Sequence, residues 1–297
     1  TDMDGMFRNA TSFNRPIGAW NVSDVRSMSN MFRDASAFDK PLNGWNVSNV
    51  FYMQALFRGA SAFDQPLDNW DVSNVLRMQQ MFLGASDFNQ DIGDWDVSNV
   101  TNMNEMFMGA TSFNNDGINS INNWDTSSAT TMESMFNGAS AFDQPLDNWD
   151  VSNVLRMQQM FLGASDFNQD LNSWIVSNVT HMSQMFQGAT NFNGNISSWV
   201  TSSLTYMQSM FNGANNFNQP LNSWNVSNVE SLSFTFAARA FNRDLSGWDT
   251  SSVTQMQGTF KDALIFNQDL SDWDTSSVVN MADMFNGARA FNNNGSA

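Results

Sequence analysis

The sequence predicts an α/β repeat fold, a solenoid in which each coil supplies one short parallel strand and a short helix or helical turn. The first observation is a duplication, because residues 59–91 and residues 138–170 are identical. The second is a 25-residue unit that runs through the whole chain and places all 11 Trp residues at one position. A fixed period of this length is typical of stacked supersecondary units.

A Met-Phe corner in the unit sets the register of the repeats. Its Phe recurs every 25 residues, except for one step of 29 after Phe107 and one step of 24 after Phe236. Both irregular steps fall in turn-like segments, 114–123 and 237–240, where repeat proteins tolerate insertions and deletions. We therefore expect residues 1–297 to form a single solenoid of about twelve tandem repeats, with incomplete first and last repeats and no terminal caps.

One half of the unit, exemplified by residues 23–38, predicts a short amphipathic helix. Its apolar residues follow the spacing of three and four that lines one helix face: Val25, Met28, Met31, Phe32 and Ala35. Ser23 lies where an N-cap is expected. A Gly-Ala pair, as at residues 59–60, would end the helix.

The other half, exemplified by residues 38–47, predicts a short strand or extended arm. Leu42, Trp45 and Val47 recur at a spacing of two or three residues. An all-β solenoid, in which the V-x-x-M segment forms a second strand, is the alternative. In both versions the Trp, Phe and Met side chains stack in columns and form the core.

The composition argues against several classes of function. The formal net charge is −17, and the twelve basic residues form no stripe, so nucleic acid is not an expected partner. The chain has no cysteine, which excludes disulfides and thiolate metal sites. No apolar run approaches the length of about 18 residues that crosses a membrane.

Nucleophilic catalysis has few candidate residues. His181 is the only histidine, it occupies a variable position, and neither a cysteine nor a second histidine accompanies it. Paired carboxylates leave a glycosidase site open on residue types alone. However, only the 114–123 segment interrupts the repeats strongly. We therefore expect no enzymatic activity and no cofactor.

Two columns of acidic residues are the most distinctive polar feature. One follows the Trp in four successive repeats: Asp71, Asp96, Asp125 and Asp150. The other alternates with Pro and Asn at the third position after the second Phe of the unit: Asp91, Asp116, Asp170, Asp244 and Asp269. Calcium would bridge such oxygen ligands. The simpler interpretation is that each side chain accepts a hydrogen bond in an Asx-turn, which free exchange with Asn favours.

The unit resembles a known family. Residues 96–114, DVSNVTNMNEMFMGATSFN, and residues 176–193, VSNVTHMSQMFQGATNFN, carry the motif most fully. It is similar to that of the BspA-like leucine-rich-repeat surface proteins, which include a repeat of unknown function from mycoplasma lipoproteins. The resemblance implies an open, right-handed, leucine-rich-repeat-like solenoid on a cell surface. It also implies roles in adhesion or host contact, and it supplies no catalytic residues.

Together these observations predict a non-catalytic cell-surface or extracellular protein. It would present an extended face for adhesion to a protein or glycan on another surface. The alternative is a structural subunit that assembles head to tail into an extracellular filament, because a coil stack without caps exposes edges that pair with another copy.

Overall fold

The computed structural model describes residues 1–295, and this part of the chain contains neither an α-helix nor a β-strand. Its helical elements are three short 3-10 helices, Asn115–Gly117, Asn119–Asn123 and Asn293–Gly295. The chain divides into two compact units, Thr1–Asn153 and Val154–Ala297. The predicted α/β solenoid, with its leucine-rich-repeat-like strand and helix, is therefore wrong.

Hydrogen bonding explains why the predicted helix does not form. The N–H groups of Met28, Asn30 and Phe32 donate to carbonyls 24 residues later, in the next repeat, at 2.9–3.0 Å. The N–H groups of Met31 and Ala35, in contrast, donate to carbonyls three residues earlier at 3.0–3.1 Å. An α-helix requires every N–H to reach the carbonyl four residues earlier. The segment is instead a run of tight turns whose alternate amides bind the neighbouring repeat.

Two left-handed residues per repeat set the direction of these turns. Asn30 has a φ of 57° and Asp34 has a φ of 60°. The first of these positions is held by various residues along the chain, and the second mostly by Gly, as at Gly59 with a φ of 67°. A positive φ at the third residue of a turn is the mark of a type II turn. The Gly read from the sequence as a helix end therefore lies inside a turn.

The predicted strand is also absent. Its Leu42–Trp45 portion closes a turn, because the amide of Trp45 donates to the carbonyl of Leu42 at 2.9 Å. The strand-like contact lies instead in the half predicted to be helical, where single residues such as Ser27 and Tyr52 form isolated parallel bridges. One bridge residue per repeat makes no strand, so the all-β alternative is wrong as well.

The prediction of tandem repeats is confirmed, as is the prediction of which side chains form the core. Within each unit, the bridges join residues 24 to 29 positions apart. The apolar stripe from Val25 to Ala35 is buried, and so are the Trp residues from Trp45 to Trp273. Trp20, which is 41% exposed, is the exception. A continuous array across both units stays a prediction.

Aromatic rings are ordered inside each stack. Phe57 lies 5.5 Å from Phe32 in the preceding repeat and 4.0 Å from Phe63 in its own, with nearly parallel rings in both pairs. Offset stacking at such distances is favourable for aromatic pairs. The indole Nε1–H of Trp70 donates to the carbonyl of Leu42, 3.1 Å away in the preceding repeat. Each Trp of this kind therefore joins two repeats both by packing and by a hydrogen bond.

The inserted segment of the first unit forms a small buried polar cluster. Asn115 is fully buried, and its side chain accepts from the amide of Ile92 and donates to the carbonyl of Ile118. Ser120 packs so closely against Gly93 that a Cβ at Gly93 would overlap it. The insertion is thus accommodated by two 3-10 helices and a glycine that leaves space for Ser120.

Candidate functional site

The first column of predicted acidic residues forms Asx-turns. Their Oδ1 atoms accept hydrogen bonds of 2.9–3.1 Å from the amides two residues later, in the pairs Asp71 with Ser73, Asp96 with Ser98, Asp125 with Ser127 and Asp150 with Ser152. Asn46 accepts the same bond from Ser48 at 3.1 Å. The neutral side-chain amide of Asn therefore accepts the same hydrogen bond as the carboxylate of Asp. The Ser that was predicted to cap a helix is the donor in this turn.

The second column of acidic residues is less uniform. Asp244 and Asp269 accept from the amides of the serines two residues later. Asp91 accepts from the amide of Gly93, and Asp170 accepts from the amide of Asn195 in the next repeat. Asp116 instead lies in a 3-10 helix with a φ of 51°. The structure therefore gives this column no common role.

Electrostatics around the turns favour the charged carboxylate. The side chain and amide of Ser127 both donate to Asp125, and these bonds hold its pKa below the usual value. Ser251 lowers the pKa of Asp249 in the same way, as Ser276 does for Asp274. Among residues 1–295, no group of three or more acidic or histidine side chains is arranged to hold a metal ion. Calcium binding by the two columns stays a hypothesis.

The residues that form the bridges make a third column, which sequence reasoning missed. We call it the bridge column: Asp2, Ser27, Tyr52, Arg77, Asn102 and Thr131 in the first unit, and Arg156, His181, Tyr206, Ser231, Gln255 and Asn280 in the second. Its side chains differ from repeat to repeat, because the fold uses only the backbone at this position. The signal available from the sequence was this variability beside a position that is Met in every repeat except at Leu232.

We define the bridge face of the first unit as the exposed side chains of residues 1–9, 26–34, 51–59, 76–84, 101–109 and 130–138. These segments hold five basic and five acidic residues, whereas the rest of Thr1–Asn153 holds two basic and fourteen acidic residues. The bridge face is thus electrically balanced within a strongly acidic unit. A partner approaching it meets less repulsion than elsewhere on this unit.

A groove of about 350 Å³ lies on this face. Its walls are formed by Asp2, Asp4, Arg26, Ser27, Ser29, Tyr52, Gln54 and Arg77. The guanidinium of Arg77 lies 6.0 Å from the centre of the Tyr52 ring, and that of Arg26 lies 5.5 Å from the Phe51 ring. The ring of Tyr52 is 39% exposed. The groove combines an aromatic surface, two cations and two carboxylates.

The bridge column of the second unit contains the single histidine. The Nδ1 atom of His181 lies 2.8 Å from the hydroxyl of Thr180, and its ring centre lies 4.4 Å from that of Tyr206. His181 is partly buried by these neighbours. The arrangement is a polar and aromatic contact surface that shares an aromatic Tyr with the groove of the first unit.

Sequence reasoning also missed a polar ladder. The residue after the second Phe of the unit accepts, through its side-chain oxygen, the amide of the equivalent residue one repeat later. Asp64 accepts in this way from Asn89 at 2.9 Å, and Asn89 accepts from Asn114 at 2.7 Å. The constant Asn or Asp at this position was the signal.

The fold and this surface define a tandem-repeat protein built from stacked turns. The chain matches the model of the family described as "Mycoplasma protein of unknown function, DUF285" over residues 1–75, 42–119, 117–223, 171–247 and 207–297. The chain therefore belongs to this family. The predicted resemblance to mycoplasma repeat proteins is confirmed, whereas these matches do not support the BspA-like name. No curated protein and no solved structure matches the chain.

A membrane-spanning helix was not expected from the sequence. Across residues 1–295, no helix has the length and apolar character needed to cross a bilayer.

Proposed function

We propose that this protein is a non-catalytic binding protein of the cell surface or extracellular space, and that its bridge face recognises a protein or glycan partner. The proposal extends the sequence resemblance to repeat surface proteins, of which only the tandem-repeat family is shown. It rests above all on the groove around Tyr52, because this groove lies on the balanced face of an otherwise acidic unit.

The chemistry of the groove supports contact with polar partners that carry apolar faces. An exposed aromatic ring packs against sugar rings or apolar side chains, and Tyr and Arg are enriched among the residues that dominate binding energies. Arg26 and Arg77 supply donors, while Asp2 and Asp4 supply acceptors. The backbone beneath is fixed by bonds between repeats, such as that from the amide of Met28 to the carbonyl of Tyr52 at 3.0 Å. A rigid support lowers the entropic cost of binding.

The test is a binding screen with the whole chain against a glycan array and a panel of extracellular-matrix proteins. The variant Tyr52→Ala/Arg77→Ala should lose at least about tenfold in affinity for whatever the wild-type chain binds. Ile118→Ala is the matched control, since Ile118 is 46% exposed in the same unit but lies outside the bridge face. Equal binding by both variants would place recognition elsewhere.

A second candidate is self-assembly into a filament, favoured by one apolar surface. A depression of about 260 Å³ in the second unit is lined by Leu270, Trp273, Thr275, Met281, Met284, Phe285 and Phe291. A second copy offers Met6 and Trp20, which are 50% and 41% exposed, as apolar groups to fill it. Electron microscopy of the wild-type chain and of Met281→Asp tests this candidate. Filaments formed by the wild type alone would favour it, and dispersed particles in both samples would reject it.

A further inference from the structure

One repeat of the second unit lacks a residue that the others have. The other repeats read Phe-x-Gly-Ala, Phe-x-Asp-Ala or, in the first repeat, Phe-x-Asn-Ala at this turn, but Phe236 is followed by Ala237 and Ala238 directly. Ala238 is buried at the position of the usual Ala, so the missing residue is the left-handed one. The amide of Ala238 reaches back to the carbonyl of Phe236 at 2.7 Å, in a tighter turn than that of the other repeats.

The missing residue leaves a backbone carbonyl without its usual donor. In neighbouring repeats the amide at this position donates to the next repeat, from Gly213 to the Ala237 carbonyl at 2.9 Å and from Asp262 to the Asn286 carbonyl at 2.8 Å. The equivalent acceptor for the shortened repeat is the carbonyl of Lys261. Among residues 1–295, no backbone amide donates to it. A vacated space therefore lies beside an unpaired acceptor.

This vacancy coincides with a notch of about 520 Å³. Its lining consists of Asn212, Gly213, Asn215, Ala237, Arg239, Asp262, Leu264 and Arg289. The volume lies within the range of about 300–1,000 Å³ that is typical of small-molecule sites. The notch belongs entirely to the second unit and is distinct from the groove around Tyr52.

The two arginines of the notch replace a structural column of hydroxyl groups. From Thr11 to Thr190 the residue after the Ala of this turn is Ser or Thr, as at Thr190, whose hydroxyl donates to the carbonyl of Ser165 in the preceding repeat at 3.4 Å. Later in the chain Asn215 and Leu264 also stand at this position. Arg239 and Arg289 occupy this column, both exposed. Within the described part of the chain, neither guanidinium has a carboxylate within 4.0 Å. Their donors are therefore available to a ligand.

We propose that the notch binds an acidic sugar, a ring that carries both a carboxylate and hydroxyl groups. Guanidinium groups bind carboxylates with strong, charge-assisted hydrogen bonds. The carboxylate of Asp262 accepts hydrogen bonds from sugar hydroxyls. Leu264 supplies an apolar patch for the C–H face of the ring. Arg239 and Arg289 outnumber Asp262 in the lining, so the notch carries a local positive charge that favours an anion. This holds although the whole chain carries a net charge of −17.

The direct test is an NMR titration of the ¹⁵N-labelled whole chain with glucuronic acid, N-acetylneuraminic acid, glucose and inorganic sulfate. An acidic sugar should shift the amide signals of Gly213 and Asp262 with a millimolar dissociation constant, and glucose should bind at least about tenfold more weakly. Equal shifts with glucose, equal binding of sulfate, or no shift at the notch would each overturn the proposal.

Variants separate the notch from other basic surfaces. Arg239→Gln and Arg289→Gln should each weaken binding of the acidic sugar by about tenfold. Arg243→Gln is the control, because Arg243 belongs to the same repeat but its Nε donates to the carbonyl of Asn218 at 2.6 Å and lies outside the notch. A loss in the control as large as in the two notch variants would contradict the assignment.

An insertion tests the origin of the notch. A Gly inserted between Ala237 and Ala238 restores the 25-residue spacing, refills the vacancy and returns a donor to the carbonyl of Lys261. The variant should therefore keep or raise the melting temperature while losing the acidic sugar. Retained binding in a folded insertion variant would overturn the inference. Because binding to the bridge face is measured separately with Tyr52→Ala/Arg77→Ala, either proposal can fail without the other.

Discussion

The indole Nε1–H of Trp149 donates a hydrogen bond of 2.8 Å to the carbonyl oxygen of Ile121 in the preceding repeat. The same carbonyl also accepts the amide of Trp124 at 3.1 Å, which closes a turn within its own repeat. One backbone atom thus serves both the local turn and the junction between repeats. The Trp side chain is 3% exposed, so this bond is shielded from water.

Replacement of this Trp separates packing from hydrogen bonding. Trp149→Phe should cost about 1–3 kcal/mol of unfolding free energy, because the donor is lost while much of the ring volume stays. Trp149→Ala should cost about 3–5 kcal/mol, because it also opens a cavity. Trp20→Phe, at a site 41% exposed, is the control and should change stability much less. Urea denaturation measures all three, and an unchanged midpoint for Trp149→Ala would contradict burial of the column.

Glycine substitution distinguishes the observed turns from a helix. Ser209 has a φ of 57°, so Ser209→Gly should leave stability unchanged or raise it by up to about 1 kcal/mol through relief of left-handed strain. Asn212→Gly, in the same repeat but outside the left-handed positions, should destabilise by about 0.5–1 kcal/mol. In an α-helix both changes would destabilise. Thermal melting of the pair decides between the two structures.

The Asp residues in the Asx-turns make the folded state slightly more stable at neutral pH than at acidic pH. The pKa of Asp125 is lowered by the hydroxyl and the amide of Ser127. Its stabilising contribution is therefore complete above the unfolded pKa of about 3.9 and is lost as pH falls through the lower folded value. Ser127→Ala should move the pKa of Asp125 back toward its usual range. A ¹³C titration of the carboxyl carbon measures this, and an identical pKa in the variant would show another cause.

Two repeats lack the Asx-turn and can be given one. Ile175 and Val200 stand at the position held elsewhere by Asp or Asn, and they are 61% and 60% exposed. Ile175→Asn should add a hydrogen bond from the amide of Ser177 and raise the unfolding free energy by about 0.5–1 kcal/mol. Ile175→Ala, which removes the exposed side chain without adding an acceptor, is the control. Equal melting temperatures for the two variants would argue against a stabilising role for the turn.

Calcium provides a further test of the acidic columns. Because Asp71 and Asp96 are already engaged by the amides of Ser73 and Ser98, we expect calcium to leave the melting temperature unchanged relative to EDTA. Binding to the folded state would instead raise it with concentration. A concentration-dependent rise that disappears in Asp71→Asn/Asp96→Asn would establish the columns as calcium sites.

The sequence predicts the repeat and its core well because burial depends on spacing. Met28 and Phe32 would be buried in the predicted helix, and they are buried in the observed run of turns. Both structures bring every third or fourth side chain to one side, because the turns are closed by bonds between residues i and i+3. Whether the segment forms a helix or a run of turns depends on whether every second backbone N–H donates within its own repeat or to the next repeat. The amide of Asn30 binds the next repeat, a contact between distant residues that no local pattern contains.

The candidate sites were predictable to different degrees. The Asx-turn at Asp125 follows from the exchange of Asp with Asn between repeats. The bridge face does not follow from any motif, because Tyr52 and Arg77 share a column only through the backbone register. The 24-residue step after Phe236 indicated the position of the notch in the sequence. Arg239 and Arg289, which are 50 positions apart in the chain, line the same notch only in the folded unit.

The most direct test of bridge-face recognition uses the natural absence of cysteine from the chain. Leu76→Cys and Ile118→Cys each create one site for a bulky maleimide polymer, on and off the bridge face. Leu76 is 39% exposed in the segment 76–84 and does not line the groove around Tyr52, so the unlabelled variant keeps the groove residues. Binding to the glycans or matrix proteins is then measured before and after labelling. We predict that labelling at position 76 abolishes binding and that labelling at position 118 leaves it unchanged. Undiminished binding after labelling at position 76 would contradict the account.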